Sequence, residues 1–209
     1  KKIPVEITQY TDPTCVTGIT KFRGNVYCST RGGLVKWDID SKEYEIITTA
    51  NGLPSNVLTC TIVDNDDRLW VGSHEGIGMF NGSTWKTYGV SDGLPSPDIT
   101  DLEVDPSGKL WVGTKDGVAS FEGRRFKLLA EKGSPGRKQI ECVYFDKGGN
   151  FWVGTSNEGI YYNMKGEWKY SGRAHGTTGA KEIAQSWDLG IWSATWIGIF
   201  IWDGVGWKI

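Results

Sequence analysis

The sequence predicts an all-β fold, a β-propeller of five four-stranded antiparallel blades of about 41 residues each. Three observations carry that prediction. A self-similar unit recurs five times at nearly constant spacing, and each unit breaks into four strand-sized pieces separated by turn residues. No stretch sustains the apolar period of an amphipathic helix, which excludes the helix-pair repeats of ankyrin, tetratricopeptide and HEAT arrays.

The recurrence is clearest in RLWVGSHEGIGMFNGSTWKTY (68–88), KLWVGTKDGVASFEGRRFKLL (109–129) and NFWVGTSNEGIYYNMKGEWKY (150–170), which align with a single insertion. Weaker copies flank them: NVYCSTRGGLVKWDIDSKEYEI (25–46) and GIWSATWIGIFIWDGVGWKI (190–209). An aromatic opens the motif at Tyr27, Trp70, Trp111, Trp152 and Trp192, in steps of 43, 41, 41 and 40. A second aromatic closes it at Tyr44, Trp85, Phe126, Trp168 and Trp207, in steps of 41, 41, 42 and 39. Between them stand Gly33, Gly76, Gly117, Gly159 and Gly198, in steps of 43, 41, 42 and 39.

Within residues 57–88 the four elements follow in order. VLTCTIV (57–63) is β-branched and apolar, and DNDD turns the chain. LWVGS (69–73) is the second strand, followed by the HEG turn, and IGMF (77–80) is the third. Asn81-Gly82 is a two-residue hairpin signal that requires positive φ, and TWKTY (84–88) is the fourth strand. The Gly and Pro of GVSDGLPS (89–96) then end the unit. Applied along the chain, this places blades at about 14–47, 55–88, 97–129, 138–170 and 181–209 in one domain spanning 1–209. Residues 1–13 remain as a strand and linker. IPVEITQY (3–10) reads as an outermost strand, although GWKI (206–209) already offers one to the last blade. Either the N-terminal strand joins the fifth blade and closes the ring, or the chain is a segment of a longer array; closure is the preferred expectation.

Composition agrees. The 209 residues include 29 Gly and 11 Trp, with 38% hydrophobic and 23% charged residues, which is a folded rather than a disordered composition. With 23 basic against 25 acidic residues the net charge is −2, so no electrostatic footprint for nucleic acid or an anionic membrane is present. No apolar run approaches the roughly 20 residues of a membrane-spanning helix, and the opening residues lack the apolar stretch of a signal peptide. Cys15, Cys28, Cys60 and Cys142 form no C-x-x-C pair and are expected to be buried thiols, Cys60 and Cys142 at equivalent places in two repeats.

The units V-x-x-I-x-x-D-x-x-G-x-LWVGT-x-x-G and DGLP, best seen in DLEVDPSGKLWVGTKDGV (101–118), IVDNDDRLWVGSHEGI (62–77) and YFDKGGNFWVGTSNEGI (144–160), resemble the two-component regulator propeller repeat. The resemblance is strong over about residues 50–170, whereas Tyr27-Cys28-Ser29 and Trp192-Ser193-Ala194 replace Trp-Val-Gly at either flank. It implies the extracytoplasmic sensor region of a hybrid histidine kinase, with a polysaccharide fragment as ligand. The family's sensors are usually seven-bladed, against five blades here.

Catalysis needs positioned acids, bases or nucleophiles, and the chain has only two histidines. His74 occupies a turn slot that holds Lys115-Asp116 and Asn157-Glu158 in sibling blades, and His175 lies in the polar linker GRAHGTTGAKE (172–182). Asp64-Asn65-Asp66-Asp67 has D-x-D spacing but lacks the Gly and Glu of a calcium loop, and its siblings carry single carboxylates, so a turn role is expected. No phosphate-binding glycine motif occurs. The expectation is therefore a protein without catalytic residues, metal or cofactor.

Residues shared by every blade are expected to pack, among them Trp70, Trp111 and Trp152, with Gly72, Gly113 and Gly154 two positions later leaving room for the facing blade. Residues that differ between blades, on turns sharing one face, are where a ligand would be read. These are Arg31, His74, Glu75, Lys115, Asp116, Asn157, Glu158, Trp196 and His175, bordered by linker residues Asn51, Asn56, Asp98, Arg137 and Lys138. Trp196 leads them, as an aromatic in a turn otherwise polar; alternatively it plugs the degenerate last blade. The expected function is a non-catalytic ligand-binding or sensor propeller that recognises a carbohydrate or peptide. The alternatives are a protein-interaction scaffold, which would expose a large apolar patch, and a propeller lyase or glycosidase.

Overall fold

The computed structural model describes residues 15–172, 179–188 and 190–208, and they form five separate four-stranded antiparallel sheets. Blade 1 holds β1 (Val16–Phe22), β2 (Asn25–Thr30), β3 (Gly33–Asp38) and β4 (Tyr44–Ile47). Blade 2 holds β5 (Leu58–Val63), β6 (Leu69–Ser73), β7 (Gly76–Phe80) and β8 (Trp85–Tyr88). Blade 3 holds β9 (Ile99–Val104), β10 (Leu110–Thr114), β11 (Gly117–Phe121) and β12 (Phe126–Leu128). Blade 4 holds β13 (Ile140–Phe145), β14 (Phe151–Thr155), β15 (Gly159–Met164) and β16 (Glu167–Tyr170). Blade 5 holds β17 (Ala180–Gln185), β18 (Ile191–Thr195), β19 (Gly198–Trp202) and β20 (Trp207–Lys208). Each sheet is a simple meander, and the first strands β1, β5, β9, β13 and β17 pack in sequence along the inner side.

The core consists of four clusters, and each straddles one seam between blades. At the seam of blades 2 and 3, Trp70 and Ile77 meet Ile99, Leu102, Leu110 and Phe121. At the seam of blades 4 and 5, Trp152 and Ile160 meet Ala180, Ile183, Ile191 and Phe200. Both faces of an inner blade are therefore buried, which is why β6 and β14 read as continuous apolar runs.

The repeated glycines have the steric reason expected of them. A Cβ at Gly72 would lie 2.5 Å from Cys60 Sγ and 2.7 Å from Ile99 of the next blade; at Gly154 it would lie 2.6 Å from Cys142 Sγ and 2.9 Å from the Ala180 Cβ. Cys60 and Cys142 are thus equivalent buried thiols facing glycines, and burial pushes Cys60 up to about 12 and Cys142 well above its usual range. Cys15 and Cys28 are only partly buried, contrary to the expectation for all four, because they belong to the first blade, one face of which has no neighbour among the described residues.

The Asp turns do more than reverse the chain. Asp146 accepts the backbone N–H groups of Gly148 and Asn150 through Oδ1, both at 2.9 Å, and the Trp152 indole N–H through Oδ2 at 2.9 Å. Asp64 and Asp105 repeat the arrangement toward Trp70 at 2.6 Å and Trp111 at 3.0 Å. One carboxylate therefore closes the hairpin and orients the tryptophan that fills the seam.

The expected closing strand, residues 3–10, lies outside the described residues. Among those described, blade 5 has four strands, and β17 packs on β13 without a comparable contact to β1. Among the described residues the five blades form a consecutive series, and no other blade packs on the outer face of blade 1 or of blade 5.

Candidate functional site

All the turns between second and third strands lie on one face, and the local chemistry that holds them is repeated. Ser73, Thr114 and Thr155 donate from their hydroxyls to the carbonyls of Gly76, Gly117 and Gly159, each at 2.8 Å. The turn glycines have φ near 122°, 119° and 102°, and a side chain at Gly76 would strike the Tyr88 carbonyl at the end of β8, as one at Gly117 would strike the Gly136 carbonyl of the following linker. The scaffold is invariant, and only the one or two residues at each tip vary.

The structure brings these variable tips into contact with the linkers that precede and follow their blades. His74 Nδ1 lies 3.0 Å from Asp98 Oδ1, and the Lys115 backbone N–H donates to the Asp98 carbonyl. Arg137 pairs with Asp116, and Lys138 Nζ pairs with Glu158 Oε2 at 2.6 Å. Glu75 accepts from the Ser55 hydroxyl at 3.0 Å. Arg31 and Asn157 stand exposed, while Asn51 and Asn56 serve the linker itself by accepting the backbone N–H groups of Thr48 and Thr49. Trp196 is 72% exposed, so it does not plug the last blade. His175 lies outside the described residues.

Two charged residues that the sequence reading passed over join this face. Each first strand carries a one-residue bulge, at Thr17, Thr59, Thr100, Glu141 and Lys181. A bulged residue is unpaired and re-aimed. In blades 4 and 5 the bulge threonine of the other blades is replaced by a carboxylate and an ammonium, and these form an ion pair across the seam. Ser156, on the blade 4 turn, donates to the same Glu141 carboxylate, and Lys181 Nζ stands 4.4 Å from the centroid of the Trp196 ring. Beside this group, Arg137, Lys138, Gln139, Thr155, Asn157 and Glu158 line a shallow cavity of about 310 Å³. The signal was present in the sequence as a Thr-to-Glu and Thr-to-Lys departure within a repeat column.

The inner strands hold a second acidic group. Asp101 accepts the Val143 N–H at 2.8 Å, and Glu103 accepts the Phe145 N–H at 3.5 Å, so β9 reaches across to β13 through side chains. Burial, reinforced by the negative charge of Glu182, pushes Asp101 up to about 8 and Glu103 up to about 7. Among the described residues no group of His, Cys, Asp and Glu is arranged to hold a metal ion. No helix among them is long and apolar enough to cross a membrane.

Five meander sheets around an inner strand series, with an invariant scaffold and variable loop tips, define a β-propeller of the repeat type. Residues 52–75 and 93–116 each match the two-component regulator propeller repeat. Both matched segments begin at the glycine of a GLP linker, where Gly52 and Gly93 adopt φ of 106° and 98° and Leu53 and Leu94 are buried. No curated protein matches the sequence. Among solved structures, the extracellular domain assigned to a hybrid two-component system of B. thetaiotaomicron, BT3049, superposes with a TM-score of 0.76 at 22% identity over 91% of this chain. A second such domain, BT4673, gives 0.76 at 18% identity over 90%. The chain spans 27% of the length of each. Virginiamycin B lyase from Staphylococcus aureus is similar at a TM-score of 0.73 and 16% identity, with 93% of this chain and 69% of the lyase covered.

Proposed function

We propose that the chain is a non-catalytic, extracytoplasmic sensor-type propeller that recognises a carbohydrate on its loop face around Trp196. The observation that carries this reading is the grouping of an exposed indole with the Lys181–Glu141 pair and the Ser156 hydroxyl at the seam of blades 4 and 5. A sugar ring presents an apolar C–H face that stacks on an indole, and its hydroxyls take hydrogen bonds from fixed charged groups. The neighbouring cavity extends the surface over which an oligosaccharide could lie. The extracellular location of the two similar B. thetaiotaomicron domains supports the compartment. A peptide would use the same aromatic and charged groups, and a propeller described as bound to a peptide is also structurally similar, at a TM-score of 0.64.

The test is a glycan array with a thermal-shift screen on the wild type, Trp196→Ala and Glu141→Gln. Binding by the wild type that falls at least about tenfold, or about 1.4 kcal/mol, in Trp196→Ala supports the site. Equal glycan binding by both proteins refutes the placement. If no glycan raises the melting temperature of the wild type, the carbohydrate reading gives way to an interaction scaffold, for which the exposed Ile197 and Ile199 beside Trp196 supply apolar surface.

A further inference from the structure

In the three inner blades the second-strand tryptophan heads a row of cross-strand neighbours on the face turned to the next blade. The row reads Trp70, Met79, Lys86 in blade 2, Trp111, Ser120, Lys127 in blade 3 and Trp152, Tyr162, Lys169 in blade 4. The residue after the third-strand member points to the opposite face and meets the indole of the preceding blade. Phe121 thus lies 4.9 Å from Trp70, and Trp202 lies 6.1 Å from Trp152, between ring centroids. Each of these two indoles is therefore covered from its own sheet, by Met79 or Tyr162, and from the next sheet, and they are 0% and 2% exposed.

At the seam of blades 3 and 4 both covering positions hold small polar residues. Ser120 stands where Met79 and Tyr162 stand in the neighbouring blades, and Asn163 of blade 4 takes the register position of Phe121 and Trp202. Phe145 and Phe151 still meet the Trp111 ring, yet the indole is only partly buried, and a cavity of about 350 Å³ opens beside it. Lys109, Trp111, Ser120, Glu122, Lys127 and Leu129 are among the residues that line it. The Ser120 hydroxyl donates to Glu122 Oε1 at 2.7 Å, and Lys109 Nζ approaches the same oxygen at 3.1 Å. Those two bonds, with Lys127 at longer range, hold the Glu122 carboxyl below its usual range, so it stands ionised. Among the described residues nothing donates to its second oxygen. Blade 4 shows what such a space accepts. There the Tyr162 ring stacks on Trp152, with 4.9 Å between centroids and 20° between planes, and Lys169 is the next member of the row.

We propose that this cavity is a second ligand site, separate from the loop face, which takes a phenolic ring on Trp111 between Ser120, Glu122 and Lys127. The ring replaces the one that the repeat plan puts there in blade 4, and space left by a missing side chain beside an aromatic wall is suited to a ring-shaped ligand. The phenol hydroxyl donates to the open Glu122 oxygen and accepts from the Lys127 ammonium, which makes both bonds charge-assisted. The same chemistry is carried by a free phenolic compound and by a tyrosine side chain of a partner polypeptide.

Titration of the full chain with p-cresol, which is the tyrosine side chain as a free molecule, tests this through the indole N–H signals in nitrogen–proton NMR spectra. The expected result is saturable binding of about millimolar strength that moves the Trp111 signal and leaves those of Trp70 and Trp152 in place. Glu122→Gln weakens p-cresol about fivefold and leaves the binding of toluene, which lacks the hydroxyl, as in the wild type. Ser120→Tyr supplies the ring from within the chain, so it removes p-cresol binding and raises the melting temperature by about 2 °C or more. Ser120→Met, which copies blade 2, is a second filling variant with the same expected loss of binding. The capped tripeptide Ala-Tyr-Ala distinguishes the sources: binding at least as tight as that of p-cresol assigns the ring to a partner polypeptide, and no binding assigns it to a free phenolic compound. A Trp111 signal that ignores p-cresol, or that responds to methyl glucoside in its place, overturns the proposal. So does p-cresol binding that survives in folded Ser120→Tyr or Ser120→Met, because the ring would then sit elsewhere.

Discussion

At the residue scale, the shared positions explain themselves by contact. A Cβ at Gly113 would already stand 3.0 Å from Ile140 of the next blade and 3.0 Å from the Thr100 hydroxyl. Gly113→Val is therefore expected to destabilise the fold by about 1–3 kcal/mol through overpacking, and an unchanged melting temperature would refute it. The buried Asp146 holds two turn amides and the Trp152 indole, so Asp146→Ala is expected to cost about 2–3 kcal/mol in urea titration. Thiol labelling of the native protein should modify Cys15 and Cys28 only, with Cys60 and Cys142 reacting after denaturation, because those two are sealed between strand and glycine. The tryptophan and glycine columns were legible in the sequence because sterics at a blade seam act at the same place in every copy. The indole-to-aspartate bond was not, since DNDD, DPSG and DKGG look like ordinary turns until a side chain six residues on folds back onto them. Trp111 departs in degree from its siblings. It is only partly buried, where Trp70 and Trp152 are 0% and 2% exposed, and the smaller Ser120 stands beside it in the register position of Met79 and Tyr162.

At the scale of the element, the first strands decide both the loop face and the response to pH. Asp101 and Glu103 sit on β9 with carboxyls raised by burial to about 8 and about 7, against about 4 when the chain is unfolded. Between those values the folded state holds more protons than the unfolded state, so their contribution is full at low pH and lost as pH rises. The melting temperature is expected to fall from pH 5 to pH 8 by more in the wild type than in Asp101→Asn; parallel profiles would refute the assignment. The same strands show what the sequence concealed about the candidate site. Arg31, His74, Glu75, Lys115, Asp116, Asn157, Glu158 and Trp196 could be placed on the turns from spacing alone. Glu141 and Lys181 could not, because alternation along a strand would aim them by parity, whereas the bulge re-aims them toward the loop face.

For the whole molecule, stability should follow the number of covered faces. The inner blades are buried on both sides, whereas blade 5 exposes Trp187, Trp192, Ile197 and Ile199, so nearest-neighbour support is halved at the end of the series. Amide exchange is expected to be about tenfold or more slower in β6, β10 and β14 than in β18 and β19 under conditions where the chain is monomeric; uniform protection across the blades would refute it. By itself the sequence determined the number of blades, their four-strand composition, the packing columns and the turns that carry variable residues, because each follows from short-range chemistry that recurs at a fixed period. Only the tertiary structure decided that β17 makes no contact with β1 comparable to its packing on β13, that Glu141 and Lys181 pair across a seam, and that Trp196 stands in solvent. Those features depend on how one blade is set against the next, and that setting arises from side chains about forty residues apart that no local pattern brings together.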